Sequence, residues 1–130
     1  MYLLDTNIWL ERLLDQEKSE EVRRFLDHVS SRELCITDFA LHSIGLVLTR
    51  LKENKVFLRF VEDAFVSGEV HLIHLEPDDT PQILEAIESH HFDFDDAYQY
   101  VAAEKYDFTI VSFDKAFDST PRKRKTPKDI

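Results

Sequence analysis

Four short apolar runs, each followed by a longer stretch of helical periodicity, restrict this chain to very few architectures. The runs are residues 2–5, 34–37, 71–75 and 108–112, rich in Leu, Ile, Val, Phe or His. Between the first two, apolar positions recur on helical faces: Ile8, Trp9, Leu10, Leu13 and Leu14 in 7–14, and Val22, Phe25, Leu26 and Val29 in 18–30. A further helix is expected over 38–52, N-capped by Asp38, with a nearly continuous apolar centre that predicts burial. Residues 54–67 carry Val56, Phe57, Phe60, Val61, Ala64 and Phe65 before Gly68, a stop signal. Pro81 after Thr80 suits the entrance of a helix over 81–90, and Asp93 or Asp95 would cap another over 96–105. Strands alternating with helices of this length specify βαβ units around a parallel sheet.

At 130 residues, with 43% hydrophobic content, the chain suits one domain spanning 1–130. Two glycines and four prolines leave no linker or low-complexity segment. No apolar run is long enough to span a bilayer, and no basic region followed by an apolar stretch and a cleavage site opens the chain. A cytoplasmic protein without membrane attachment is expected. Its one cysteine, Cys35 between Leu34 and Ile36, excludes an internal disulfide and reads as a buried strand residue rather than a nucleophile.

The formal net charge of −10 runs against a simple nucleic-acid binder, but it is unevenly distributed. Arg122, Lys123, Arg124, Lys125 and Lys128 stand beside Asp129 alone in the last nine residues. Of 16 basic and 26 acidic residues, 11 and 25 therefore remain in 1–121, a net of −14. The basic tail 121–130 has two readings, a contact for RNA or an acidic partner surface, and a solvated chain end.

The chemistry lies at the strand ends. Asp5 closes Tyr2-Leu3-Leu4, Asp96 opens the stretch after Phe92-Asp93-Phe94-Asp95, and Asp114 follows Phe108-Thr109-Ile110-Val111-Ser112-Phe113. In an open parallel sheet, strand C-terminal ends and helix N-terminal ends share one edge, where ligands bind. Carboxylates gathered there would hold a hard divalent cation, because Mg²⁺ and Mn²⁺ prefer oxygen ligands. Each residue also has a purely structural reading: Asp5 with Thr6 and Asn7 caps a helix, Asp93, Asp95 and Asp96 favour a helix N-terminus, and Asp114-Lys115 makes a turn.

Taken in order, these segments resemble the PIN-domain ribonucleases, the superfamily that includes VapC-type toxins. Leu3-Leu4-Asp5-Thr6-Asn7-Ile8 resembles the family's opening motif, Phe94-Asp95-Asp96-Ala97 its third acidic motif, and Ile110-Val111-Ser112-Phe113-Asp114-Lys115-Ala116-Phe117 its fourth. Thr126-Pro127 resembles its C-terminal strand entrance. The resemblance implies a three-layer α/β/α fold with a parallel sheet of four to five strands, and Mg²⁺ or Mn²⁺ at the acidic cluster. It further implies hydrolysis of RNA phosphodiesters, a cognate antitoxin as partner, and a homodimer. On that reading Asp5, Asp96 and Asp114 are the catalytic and metal-binding residues. Asn7, Thr6, His42, Ser43 and Ser112 orient substrate, water or the metal's ligands.

One motif departs from the family. A Glu normally stands early in the helix after the second strand, where Thr37-Asp38-Phe39-Ala40-Leu41-His42-Ser43 places Ser43, with His42 beside it. Three side chains compete to replace it: His42, Asp38 and Asp95. The rival expectation is a PIN-like fold that has lost catalysis and binds RNA or protein. His71 and His74 lie on opposite faces of a strand, His90-His91 mark a helix exit, and Trp9 with Leu10, Leu13 and Leu14 forms core or a dimer surface.

Overall fold

A computed structural model describes all 130 residues. Four parallel strands, β1 (Tyr2–Leu4), β2 (Leu34–Thr37), β3 (His71–Ile73) and β4 (Thr109–Val111), are ordered β3-β2-β1-β4. Tyr2 and Leu3 pair with Leu34 and Cys35 on one side, and Tyr2, Leu3 and Leu4 with Thr109, Ile110 and Val111 on the other. Alternation along each strand makes the two cores. Leu3, Cys35 and Ile110 face α5 (Thr80–His90) and α6 (Phe94–Tyr106). Leu4, Leu34, Ile36 and Val111 face α1 (Thr6–Leu13), α2 (Ser19–His28), α3 (Asp38–Arg50) and α4 (Asn54–Val61). This is the three-layer α/β/α sandwich expected.

Several elements differ from expectation in ways their local chemistry explains. Thr37 rather than Asp38 caps α3, its hydroxyl accepting from the Ala40 N–H at 3.0 Å, and Asp38 falls in the first turn. The apolar centre of α3 is buried only along Ala40, Ile44, Gly45 and Leu48, and Leu46 is 52% exposed. Continuous hydrophobicity therefore overstated its burial. Helix α4 ends at Val61 and continues as a π-turn over Glu62–Val66. Gly68 terminates it by proximity rather than by a left-handed conformation: a Cβ there would stand 2.5 Å from the Asp63 carbonyl oxygen and 2.8 Å from that of Ala64. Asp93, not Asp95, is the N-cap residue of α6.

The basic tail is not a solvated end. Lys125 pairs with Val111 in a parallel bridge, its N–H donating to the Ile110 carbonyl (2.8 Å) and its carbonyl accepting from the Ser112 N–H (3.0 Å). Arg122 donates to the Phe108 carbonyl at 3.0 Å, and Arg124 to the Ser112 carbonyl at 3.1 Å. Two of the five tail cations are thus spent on structure. Trp9 is core, its ring tilted against Phe60 at 5.2 Å. Cys35 is fully buried, and burial pushes its thiol up to about 11, which rules it out as a nucleophile at neutral pH. No helix is long and apolar enough to cross a membrane.

Candidate metal centre at the sheet edge

The strand order places the topological switch between β1 and β4, since the chain leaves β1 toward β2 and returns across it to β4. Asp5 and Ser112 stand at the C-terminal ends of those two strands. The Asp5 N–H donates to the Val111 carbonyl at 2.9 Å, which extends the ladder by one bond and fixes where its side chain emerges. Asp5 Oδ1 accepts from the Thr6 N–H at 2.7 Å and from Gln99 Nε2 at 3.4 Å. Asp5 Oδ2 accepts from Ser112 Oγ at 2.7 Å and from Asn7 Nδ2 at 3.3 Å. Buried Ser112 in turn accepts from the Asp114 N–H at 2.9 Å and from Asn7 Nδ2 at 3.2 Å. Asn7 Oδ1 accepts from the Phe113 N–H at 3.2 Å.

This network ties the ends of two strands together. The structural and chemical readings of these residues coincide: Asp5 caps α1, and Asp114 caps the 3₁₀ turn Lys115–Ser119 through the Ala116 N–H at 2.9 Å. Neither aspartate is thereby removed from the edge.

Asp96 arrives from the first turn of α6, flanked by Asp95. Carboxylate oxygens of Asp93, Asp95 and Asp96 all lie within 4.8 Å of one another. Burial raises the Asp96 carboxyl to about 7, with the charges of Asp114, Asp95, Asp5 and Asp93 adding to the rise. Asp5 is likewise raised, first by burial and further by Asp114 and Asp95, against the hydrogen bonds from Ser112 and Thr6. Carboxylates from beyond the ends of β1 and β4 and from the start of α6 therefore share one field with no cationic side chain among its principal contributors. Such a surplus is what a hard cation with oxygen ligands relieves, so the residues present fit Mg²⁺ or Mn²⁺.

The remaining sequence candidates divide. Thr6 contributes its backbone N–H to Asp5. His42 is exposed and makes no hydrogen bond, and Ser43 is only half-buried. Asp38 is engaged elsewhere, its Oδ1 accepting from the Tyr98 hydroxyl and the Phe39 N–H, both at 2.8 Å. Asp95 is thus the contender for the missing Glu whose charge reaches both Asp5 and Asp96.

Gln99 was not anticipated. It is 4% exposed, and while its Nε2 contacts Asp5, its Oε1 is buried without a partner. The available signal was an amide inside the apolar run from Ala97 to Ala103, three residues after Asp96 and hence on the same helical side.

A family model described as the PIN domain matches residues 2–123. The chain belongs to the PIN domain family. Solved structures agree in fold. One from Klebsiella pneumoniae, described as a toxin–antitoxin complex, superposes with a TM-score of 0.77 at 13% identity, covering 98% of each chain. FitAcB from Neisseria gonorrhoeae also superposes at 0.77, with 22% identity over 100% of both chains. VapC20 from Mycobacterium tuberculosis, described as a sarcin–ricin loop cleaving toxin, gives 0.74 at 16% identity, covering 88% of this chain and 90% of that one. No curated protein matches the sequence. At these identities the superpositions establish the fold alone, while the family match covers every motif of this PIN domain from Asp5 to Asp114.

Proposed function

We propose that this PIN domain is a Mg²⁺- or Mn²⁺-dependent endoribonuclease and the toxin of a toxin–antitoxin pair. PIN domains are generally nucleases, and the observation that supports the reading here is the Asp96 carboxyl, half-buried and raised to about 7 first by burial and then by the charges of Asp114, Asp95, Asp5 and Asp93. Asp5, Asp96 and Asp114 would hold the cation, with Asp95 in place of the absent Glu. A cation bound there supplies neutralisation of charge on the phosphodiester and a lowered pKa for water. The chain's own groups do the positioning. Ser112 and Asn7 both donate to Asp5 Oδ2 and so hold the Asp5 carboxylate in place, and Ser112 also fixes the Asp114 backbone. Gln99 presents a free amide acceptor beside Asp5, suited to orienting a water. An antitoxin that covers this edge would silence the enzyme, and a cytoplasmic homodimer is the assembly proposed.

The exposed, unpartnered His42 favours one rival, a PIN fold with impaired catalysis that serves as an RNA- or protein-binding module. Calorimetric titration with Mn²⁺ and cleavage of end-labelled RNA, on wild type and Asp114→Asn, separate the two. Asn at 114 keeps the oxygen that caps the 3₁₀ turn while removing the charge. Metal binding and cleavage in wild type, both lost in the variant, support the nuclease. A folded wild type that neither binds Mn²⁺ nor cleaves RNA leaves the binding module.

A further inference from the structure

Beside the acidic edge stands a group of aromatic rings that the chemistry above does not use. Phe94 opens α6 one residue before Asp95, and its side chain is 49% exposed, an unusual position for a large apolar ring next to three carboxylates. Its centroid lies 6.0 Å from that of Phe39, at the start of α3, and 6.5 Å from that of Tyr98, one helical turn further along α6. Phe39 and Tyr98 are themselves 5.4 Å apart, and all three interplanar angles fall at 35° or 36°.

The rings behind Phe94 are held firmly. The Tyr98 hydroxyl accepts from the Leu75 N–H and donates to Asp38, both at 2.8 Å, which binds α6 to the ends of β2 and β3. The outermost ring therefore rests on a rigid base. Because α3 and α6 both begin at the C-terminal edge of the sheet, this shelf shares that edge with Asp5 and Asp96, on the β2 side.

We infer that the Phe39–Phe94–Tyr98 shelf is a stacking subsite for one unpaired nucleobase of a single-stranded RNA whose backbone passes the acidic centre. The inference rests on the nuclease reading. Charge explains why such a subsite is useful. Residues 1–121 carry a net −14, and Arg122 and Arg124 are tied to backbone carbonyls, so phosphate contacts alone are poorly served. A base offers a neutral π-face, and its stacking on an aromatic side chain tolerates any sequence. Base pairing would hide that face, so the subsite selects unpaired RNA.

Fluorescence anisotropy of a labelled single-stranded RNA in EDTA, paired with cleavage kinetics in Mn²⁺, tests this on the full chain. Base–aromatic stacking predicts that Phe94→Ala weakens binding, or raises KM, by about 5- to 150-fold, while kcat stays within twofold. Phe94→Trp restores the affinity, and Phe94→Leu, equally apolar without a π-face, does not. Against RNA made abasic at one position in turn, the Phe94→Ala loss should vanish at a single position, because ring and base form one contact. The half-exposed ring leaves folding intact, which thermal unfolding of each variant checks. Cleavage by wild type with Phe94→Ala or Phe94→Leu indistinguishable from it overturns the shelf and leaves the nuclease standing. Wild type that neither binds nor cleaves RNA overturns both.

Discussion

Replacing Asp96 by Asn should make the metal-free protein more stable while destroying its response to metal. The carboxyl is raised from 3.8 to about 7 in the folded state, chiefly by burial and then by Asp114, Asp95, Asp5 and Asp93. Below pH 3.8 it is protonated whether the chain is folded or not, and it has no effect on the pH dependence. Between 3.8 and about 7 the folded state keeps a proton that the unfolded state has released, so stability falls as pH rises. Above 7 the full cost of holding the charge is present.

At about 1.4 kcal/mol per pKa unit the ceiling is about 4 kcal/mol. Asp96 is only partly buried, and solvent screening of its neighbours lowers this to about 1–3 kcal/mol. Loss of a carboxylate from the first turn of α6 returns about 0.5 kcal/mol of that through the helix dipole. The net gain at pH 8 in EDTA is about 1–2 kcal/mol, or roughly 3–8 °C in Tm for a domain of this size. Thermal unfolding at pH 4 and pH 8, with EDTA or Mn²⁺, measures it. The two proteins should converge at pH 4, and only wild type should be stabilised by Mn²⁺, by about 2.7 kcal/mol at a hundred times Kd, seen as a raised Tm. A variant no more stable than wild type at pH 8 in EDTA would refute the argument that the edge is strained by uncompensated charge, as would a gap independent of pH.

Three further substitutions probe the frame around the site. Ser112→Ala removes a buried hydroxyl that donates to Asp5 and accepts from the Asp114 N–H, and should cost about 1–3 kcal/mol in denaturant unfolding together with a weaker Mn²⁺ affinity by calorimetry. His42→Ala, at an exposed position without hydrogen bonds, should change stability by less than about 0.5 kcal/mol and leave the Mn²⁺ affinity and RNA cleavage within twofold of wild type. A large loss of either would place the imidazole in the site after all. Gly68→Ala forces a Cβ against two carbonyl oxygens of the π-turn and should lower stability by about 1–3 kcal/mol, read as a lower denaturation midpoint.

The parts of this molecule legible in its sequence are those whose causes are local. The alternation Leu3-Leu4, Cys35-Ile36 and Ile110-Val111 assigns one residue of each pair to each face of the sheet, because a strand turns its side chains over every residue. Asp5 follows β1 directly and Asp114 comes three residues after the end of β4, so their place on the C-terminal edge came with the strands themselves. Folding was needed wherever two distant segments compete for one position. That His42 is left in solvent, that Tyr98 takes Asp38 while the charge of Asp95 reaches the cluster, and that Lys125 pairs beside Val111 depend on contacts across 14 to 60 or more residues. Gln99 reaches Asp5 from 94 residues away. No local pattern encodes such contacts, since hydrogen bonds and field effects act through distance in space, and the sheet order β3-β2-β1-β4 decides which strand ends are neighbours.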